Sequence, residues 1–385
     1  MHHYRFVDNK LFAQAFVAFA LCLGSHTLLA GGFVETDLVS DIPGRAAFTD
    51  PNLVNPWGIA ISPTSPFWIA NNGTGTSTLY NTAGMPQALV VSLPDAAAAT
   101  GQVFNPGSAF NADRFIFSTE DGSIVGWRGG LGSNAETLFD NSAQGSIYKG
   151  LATATVGTGT YLYAADFHNN KIDVFSSAGA PSLMGSFMDS GVPVGFAPFN
   201  IQNLGGKLYV TYAKQDEDAK DDVSGMGNGF IDIFDLSGNM LQRLVSNGEL
   251  NSPWGLALAP AGFGTLGGNL LVGNFGNGRI NAYNPTTGQM VGTVSDVWGN
   301  PLEIEGLWGL AFGNGAAGGE LNTLYFTAGI SGGENIEDHG LFGAVSAVPE
   351  PGTGFAGVAL AGLCGAVWLR RRKSKVATVD SVEQK

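Results

Sequence analysis

Cysteine is almost missing from this chain: there are two in 385 residues, Cys22 and Cys364, both in apolar terminal segments. A disulfide framework is therefore excluded, and the central region has to be held by its core. Charge is also scarce, at 13% of residues, and basic charge is scarcer. Between residues 32 and 347 there are 10 Lys and Arg against 28 Asp and Glu, a net of −18. That balance argues against a nucleic-acid partner and suits solubility or divalent cations. No long amphipathic helical pattern occurs in this region, which argues against a helical bundle. His-Glu-x-x-His and Cys-x-x-Cys are absent. Gly262-x-Gly264-x-x-Gly267 has dinucleotide-loop spacing, but a strand pattern follows it where a helix is required.

Glycine abounds, at 57 residues. It has no collagen period and sits among Asn, Thr and aromatics, the composition of a turn-rich β protein. One phrase recurs: Asn55-Pro56-Trp57-Gly58-Ile59-Ala60, Ser252-Pro253-Trp254-Gly255-Leu256-Ala257 and Gly306-Leu307-Trp308-Gly309-Leu310-Ala311. Each copy opens a unit of short strands, and repeats of roughly 40–50 residues of this kind predict propeller blades. Three more units follow the pattern less closely. Their inner strands are expected at Pro106–Phe110, Lys149–Ala152 and Pro198–Ile201, each followed by a middle strand, a third ending in an aromatic, and a weaker outer strand. The sixth unit runs out before its outer strand, and Glu35–Ser40 is the spare strand expected to close the ring and remove an open sheet edge. The expected fold is thus an all-β, six-bladed propeller over residues 31–347. The tryptophans of the phrase are read as packing between blades.

Local patterns resemble NHL-type six-bladed propellers, with their small-residue blade openings and a later Asn-Gly-x-Ile-x-aromatic strand. Tyr212–Asp216 through Asp221-Asp222 to Gly227–Phe230, and Leu324–Gly329 leading to His339–Gly343, are similar to a family of uncharacterised exported bacterial propellers. That resemblance implies fold and export and brings no established activity.

The ends are targeting segments. Residues 1–30 read as a signal peptide: Arg5 and Lys10, an apolar run from Leu11 to Leu23, then the small residues Ala30 to Gly32. At the other end, Pro349-Glu350-Pro351 precedes an apolar stretch from Gly354 to Leu369 and the cluster Arg370-Arg371-Arg372-Lys373. About 16 apolar residues are enough for a short membrane helix, and the basic cluster orients its far side to the cytoplasm. Residues 348–373 resemble the PEP-CTERM sorting signal of Gram-negative bacteria, leaving 374–385 as a cytoplasmic tail. The resemblance implies an exosortase as partner, a membrane-anchored precursor, and release to the cell surface or extracellular matrix.

Loops joining middle to third strands share one face of a propeller, and here they carry most of the charge. Candidate residues on that polar face are Asp166, His168, Lys214, Asn274 and His339. The longest loop, Lys214–Asn228, places Asp216, Asp218, Asp221 and Asp222 close together, either as Ca2+ ligands or as a solvated acidic surface; the spacing is not that of an EF-hand. His168 and His339, each beside carboxylates, suit a general base, a metal ligand or a structural hydrogen bond. The expected function is an exported, surface-anchored module that binds an extracellular polysaccharide or protein. The alternative is a divalent-metal hydrolase resembling gluconolactonase-type lactonases, with Asp166, Asn274 and Asn71 converging on the central channel.

Overall fold

Six sheets radiate from one axis in the computed structural model, which describes residues 31–333 and 335–349. Blade one is Pro56–Ala60, Phe67–Asn71, Thr76–Tyr80 and Pro86–Ser92; blade two is Ala99–Phe104, Phe115–Thr119, Ser123–Trp127 and Glu136–Asp140. Blade three has Tyr148–Val156, Gly159–Asp166 and Lys171–Ser176, and blade four has Phe196–Leu204, Lys207–Lys214, Phe230–Phe234 and Met240–Ser246. Blade five is Pro253–Leu258, Leu270–Asn274, Ile280–Tyr283 and Met290–Thr293. Blade six takes Leu307–Phe312, Thr323–Ala328 and Leu341–Ala347 from the end of the domain and its fourth strand, Phe33–Ser40, from the beginning.

That last pairing is antiparallel, with Glu35 opposite Val345 and Ser40 opposite Leu341. It closes the ring as the truncated sixth unit led one to expect, and it buries Phe33 and Val39. Phe33 packs on Phe263 of blade five at a centroid distance of 4.8 Å. Apolar side chains fall into one cluster between each pair of neighbouring blades and one cluster on the axis. Each blade alone is a thin sheet with two apolar faces, so the ring is the unit that buries them.

Every inner strand carries a break in register at the same place, starting at Trp57, Thr100, Lys149, Phe199, Trp254 or Trp308 and holding one residue more than the middle strand opposite. A bulge bends the strand and re-aims the extra side chain. The glycine that follows lets adjacent inner strands touch: a Cβ on Gly58 would lie 2.6 Å from Thr100 O, and one on Gly309 2.5 Å from Trp57 O. The repeated phrase is therefore the bulge itself.

Two details differ from the sequence reading. The inner strand of blade two is Ala99–Phe104, and Pro106–Phe110 lies in the following loop, where the Asn105 amide ties Ala109 O and Asp113 O together. Proline and glycine there serve a turn, whereas Thr100-Gly101 holds the bulge without an aromatic to mark it. Blade three has three strands among the described residues, with 177–195 running as loop in place of an outer strand.

Candidate functional site

The three tryptophans of the repeat meet on the axis. Trp57 and Trp308 stack at 3.5 Å, Trp254 stands edge-on to both, and Phe275 covers Trp308 at 4.1 Å. Their reading as structural packing holds, but the packing is of one indole on another in the channel. Two indole N–H groups, from Trp57 and Trp308, donate to Asn55 Oδ1 at 3.1 and 3.2 Å; the third, from Trp254, donates to Lys149 O at 2.9 Å.

Above this plug, at the polar face, a chain of side chains crosses the ring. Asn55 Nδ2 donates to Glu337 Oε1 (2.9 Å) and to Asn72 Oδ1 (3.3 Å), and Asn72 Nδ2 donates to Glu120 Oε2 (2.9 Å). Lys149 Nζ then donates to Glu120 Oε1 (2.5 Å) and to Asp221 Oδ1 (3.1 Å). Five blades contribute to this one network. Lys149 is only 1% exposed, so its charge depends on those carboxylates and on the Trp57 ring, whose centre is 5.2 Å away. Burial alone would lower the Lys149 pKa, but Glu120 and Asp221 raise it overall. Burial pushes Glu120 up, yet the Lys149 charge and hydrogen bond bring it below its ordinary value. Among the described residues Glu337 has no ion-pair partner: burial, with the Glu120 charge behind it, pushes it up to about 7 against the hydrogen bond from Asn55. Its backbone is left-handed, φ 74°, a conformation an L side chain adopts only under constraint.

The residues expected to form the site are dispersed. Asp166, fully buried, accepts from Ile147 N and from Asn169 N and Nδ2, with Lys171 3.7 Å away. Asn274 accepts from Asn251 N and donates to Glu249 O, while Asn71 donates to Thr76 and Thr78. Each is hydrogen-bonded to a turn or loop beside its own strand. The acidic loop folds back through a bridge between Gln215 and Asp222. Asp216 caps Lys220 N, Asp218 is exposed, Asp221 reaches Lys149, and Asp222 is partly covered near Ser224. Among the described residues no group of three or more His, Cys, Asp and Glu is arranged to hold a metal ion. Of these four carboxylates, Asp221 is the one paired with the Lys149 ammonium among the described residues.

His168 and Lys214 are exposed. His339 Nδ1 is hydrogen-bonded to Asp41 Oδ2 at 2.6 Å and its backbone N–H donates to Ile330 O, which joins the N-terminal segment to blade six. Pro349 ends the described region; Glu350, Pro351, the Arg370-Arg371-Arg372 cluster, the apolar stretch before it and residues 1–30 lie outside the described residues, as does Glu334. No described helix is long and apolar enough to cross a membrane.

Sequence reasoning missed Lys149, Asn55 and Asn72. The signal for the first was visible, since Lys149-Gly150-Leu151-Ala152 stands where Trp308-Gly309-Leu310-Ala311 and Trp254-Gly255-Leu256-Ala257 stand in their blades.

Fold and terminal motif together define the class: a six-bladed all-β propeller carrying a PEP-CTERM protein-sorting motif, which matches residues 347–373 and is associated with exosortase processing. The chain belongs to the family of two uncharacterised proteins of Acanthamoeba polyphaga mimivirus, R648 and L690. It is 35% identical to R648 over 331 residues, covering 80% of this chain and 78% of that one, and 34% identical to L690 over 294 residues, covering 71% and 77%. Among solved structures it is similar to a glucose dehydrogenase (TM-score 0.51, 15% identity, 82% of this chain and 100% of that one). It is also similar to a protein of unknown function from Bacteroides thetaiotaomicron (TM-score 0.51, 11% identity, 83% and 76%). At those identities the likeness is one of fold.

Proposed function

We propose that the chain is an exported, surface-anchored binding module, with residues 31–347 as the displayed propeller. In this reading residues 1–30 direct export, 348–373 anchor the precursor through a membrane helix and present it to an exosortase, and 374–385 stay cytoplasmic in a Gram-negative cell. The partner is an extracellular polysaccharide or protein of the surface or matrix. One observation carries it: three indoles and a network in which Glu120 and Asp221 hold the Lys149 ammonium fill the channel end where the hydrolase alternative needs open, convergent carboxylates. A sealed axis suits a rigid display scaffold better than turnover.

The experiment is retention of the purified 31–347 domain on the insoluble matrix of the producing cells, alongside lactone hydrolysis with and without millimolar calcium. Saturable retention without turnover is expected. Calcium-dependent hydrolysis would install the enzyme reading instead, and failure of the domain to be retained would remove the module reading.

A further inference from the structure

Among the described residues, blade three lacks the fourth strand that the other five blades have. The segment in its place belongs to the neighbouring blade. Gly185 N donates to Ser237 O at 2.9 Å and Phe187 N to Gly238 O at 3.0 Å, both in a turn of blade four. Phe187, 5% exposed, packs on Tyr163 and Phe234, and Asp189 pairs with Arg243. Lys171–Ser176 is therefore left as the rim of its sheet. Alternate residues of such a strand turn N–H and C=O away from its one neighbour, and here those groups have no other backbone partner among the described residues.

The other rims are blunted and this one is not. In blades one, two, four, five and six the pairing of the fourth strand breaks register, and in blade six Phe48–Thr49 also lies along part of that strand. Such bulges twist an edge away from passing strands. Lys171–Ser176 pairs with Tyr161–Asp166 through six residues without a break and contains no proline. Val174 is 36% exposed on it, and the segment beyond leaves Met184, Met188 and Val194 in solvent.

We propose that this rim docks an extended strand of a partner protein, which adds to Lys171–Ser176 as the fourth strand of blade three. A row of main-chain donors and acceptors is answered in full by another peptide strand, and pockets for alternate side chains then choose among strands. Val174 favours an apolar residue opposite it. The net charge of −18 over residues 32–347 favours a basic strand and repels an acidic one. The chain's own flanks are badly placed, because Phe33 and Ala347 end in blade six, across the ring from blade three. A second copy is disfavoured by the same charge. The two symmetric antiparallel registers of greatest overlap would also set Asp173 against Asp173 or against Phe175. The proposal rests on the binding-module reading and gives it a protein partner at one edge.

The probe is a synthetic, fluorescein-labelled ten-residue peptide alternating lysine and valine. It is titrated into the 31–347 domain by anisotropy and located by amide hydrogen exchange. Its fully N-methylated form keeps the charge and removes the donors. Val174→Lys puts a like charge on the rim and, at an exposed position, should leave the melting temperature unchanged. Expected are saturable binding, exchange slowed within Lys171–Ser176, and affinity lowered tenfold or more by Val174→Lys and by N-methylation, with matrix retention of the variant lost in parallel. Equal binding of the N-methylated peptide would reduce the effect to charge, and no peptide binding at all would overturn the proposal outright. Slow exchange at 171–176 in the peptide-free domain, with a concentration-dependent mass, would make the occupant a second copy and overturn it too. If wild type and Val174→Lys are retained on the matrix equally, the module stands and this edge falls. If wild type is not retained, the module reading fails, and the peptide titration still decides the edge by itself.

Discussion

The Lys149 ammonium lies 5.2 Å from the ring centre of Trp57, and both residues occupy the same bulged position of different inner strands. Blade three thus puts a cation where three other blades put an indole. The cation meets Glu120 and Asp221, and the indoles anchor Asn55, so the bulge position organises the polar chain from both ends.

Removing that cation should be costly. Lys149→Met leaves Glu120 covered without its counter-charge, a change worth about 3–5 kcal/mol when a buried pair loses one partner. Adding Glu120→Gln to Lys149→Met should restore a large part of the loss. Urea unfolding of the two variants measures this; a single-variant loss under about 1 kcal/mol would mean that solvent, not Lys149, compensates Glu120.

Glu337 sets a pH dependence. Its pKa rises from 4.5 unfolded to about 7 folded, so between those values the native state holds the extra proton. The contribution is fully present below pH 4.5 and is lost as pH rises through about 7. Glu337→Gln retains an acceptor for Asn55 and should therefore stabilise the domain at pH 8 by about 1–3 kcal/mol relative to wild type, with little difference at pH 4. Parallel stability curves for the two proteins across this range would show that Glu337 titrates normally.

Ring closure is open to truncation. Deleting residues 31–40 exposes the edge of Leu341–Ala347 and strips the contacts of Phe33, Leu38 and Val39. At roughly 1.5–3 kcal/mol for each of these three side chains, the loss should be about 4.5–9 kcal/mol and should promote association through the open edge. A truncated domain that melts with the full one and stays monomeric would contradict this.

Sorting has a mass signature. In a host with an exosortase, the mature surface protein should end near Pro349-Glu350-Pro351, and a Pro349→Ala, Pro351→Ala variant should stay in the membrane fraction. Recovery of intact peptides from Ser374–Lys385 in the surface form would replace processing by a permanent anchor.

Much of this protein is local enough to be read from its residues. In five of the six blades the bulge residue is followed by glycine, so the Trp-Gly phrase announces the repeat, and the missing outer strand of the sixth unit announces where Glu35–Ser40 must go. Where the bulge carries Thr100 instead of an aromatic, the same reading slips into the Pro106–Phe110 loop. The site residues are another matter. Lys149 meets Asp221 across 72 positions, and His339 meets Asp41 across 298. Asp166, Asn274 and Asn71, alike in their strands, stay with their own turns. Strand patterns record which face a residue takes within its blade. Which side chains from different blades reach one another depends on the tilt and closure of the whole ring, and that is decided only when the inter-blade cores pack.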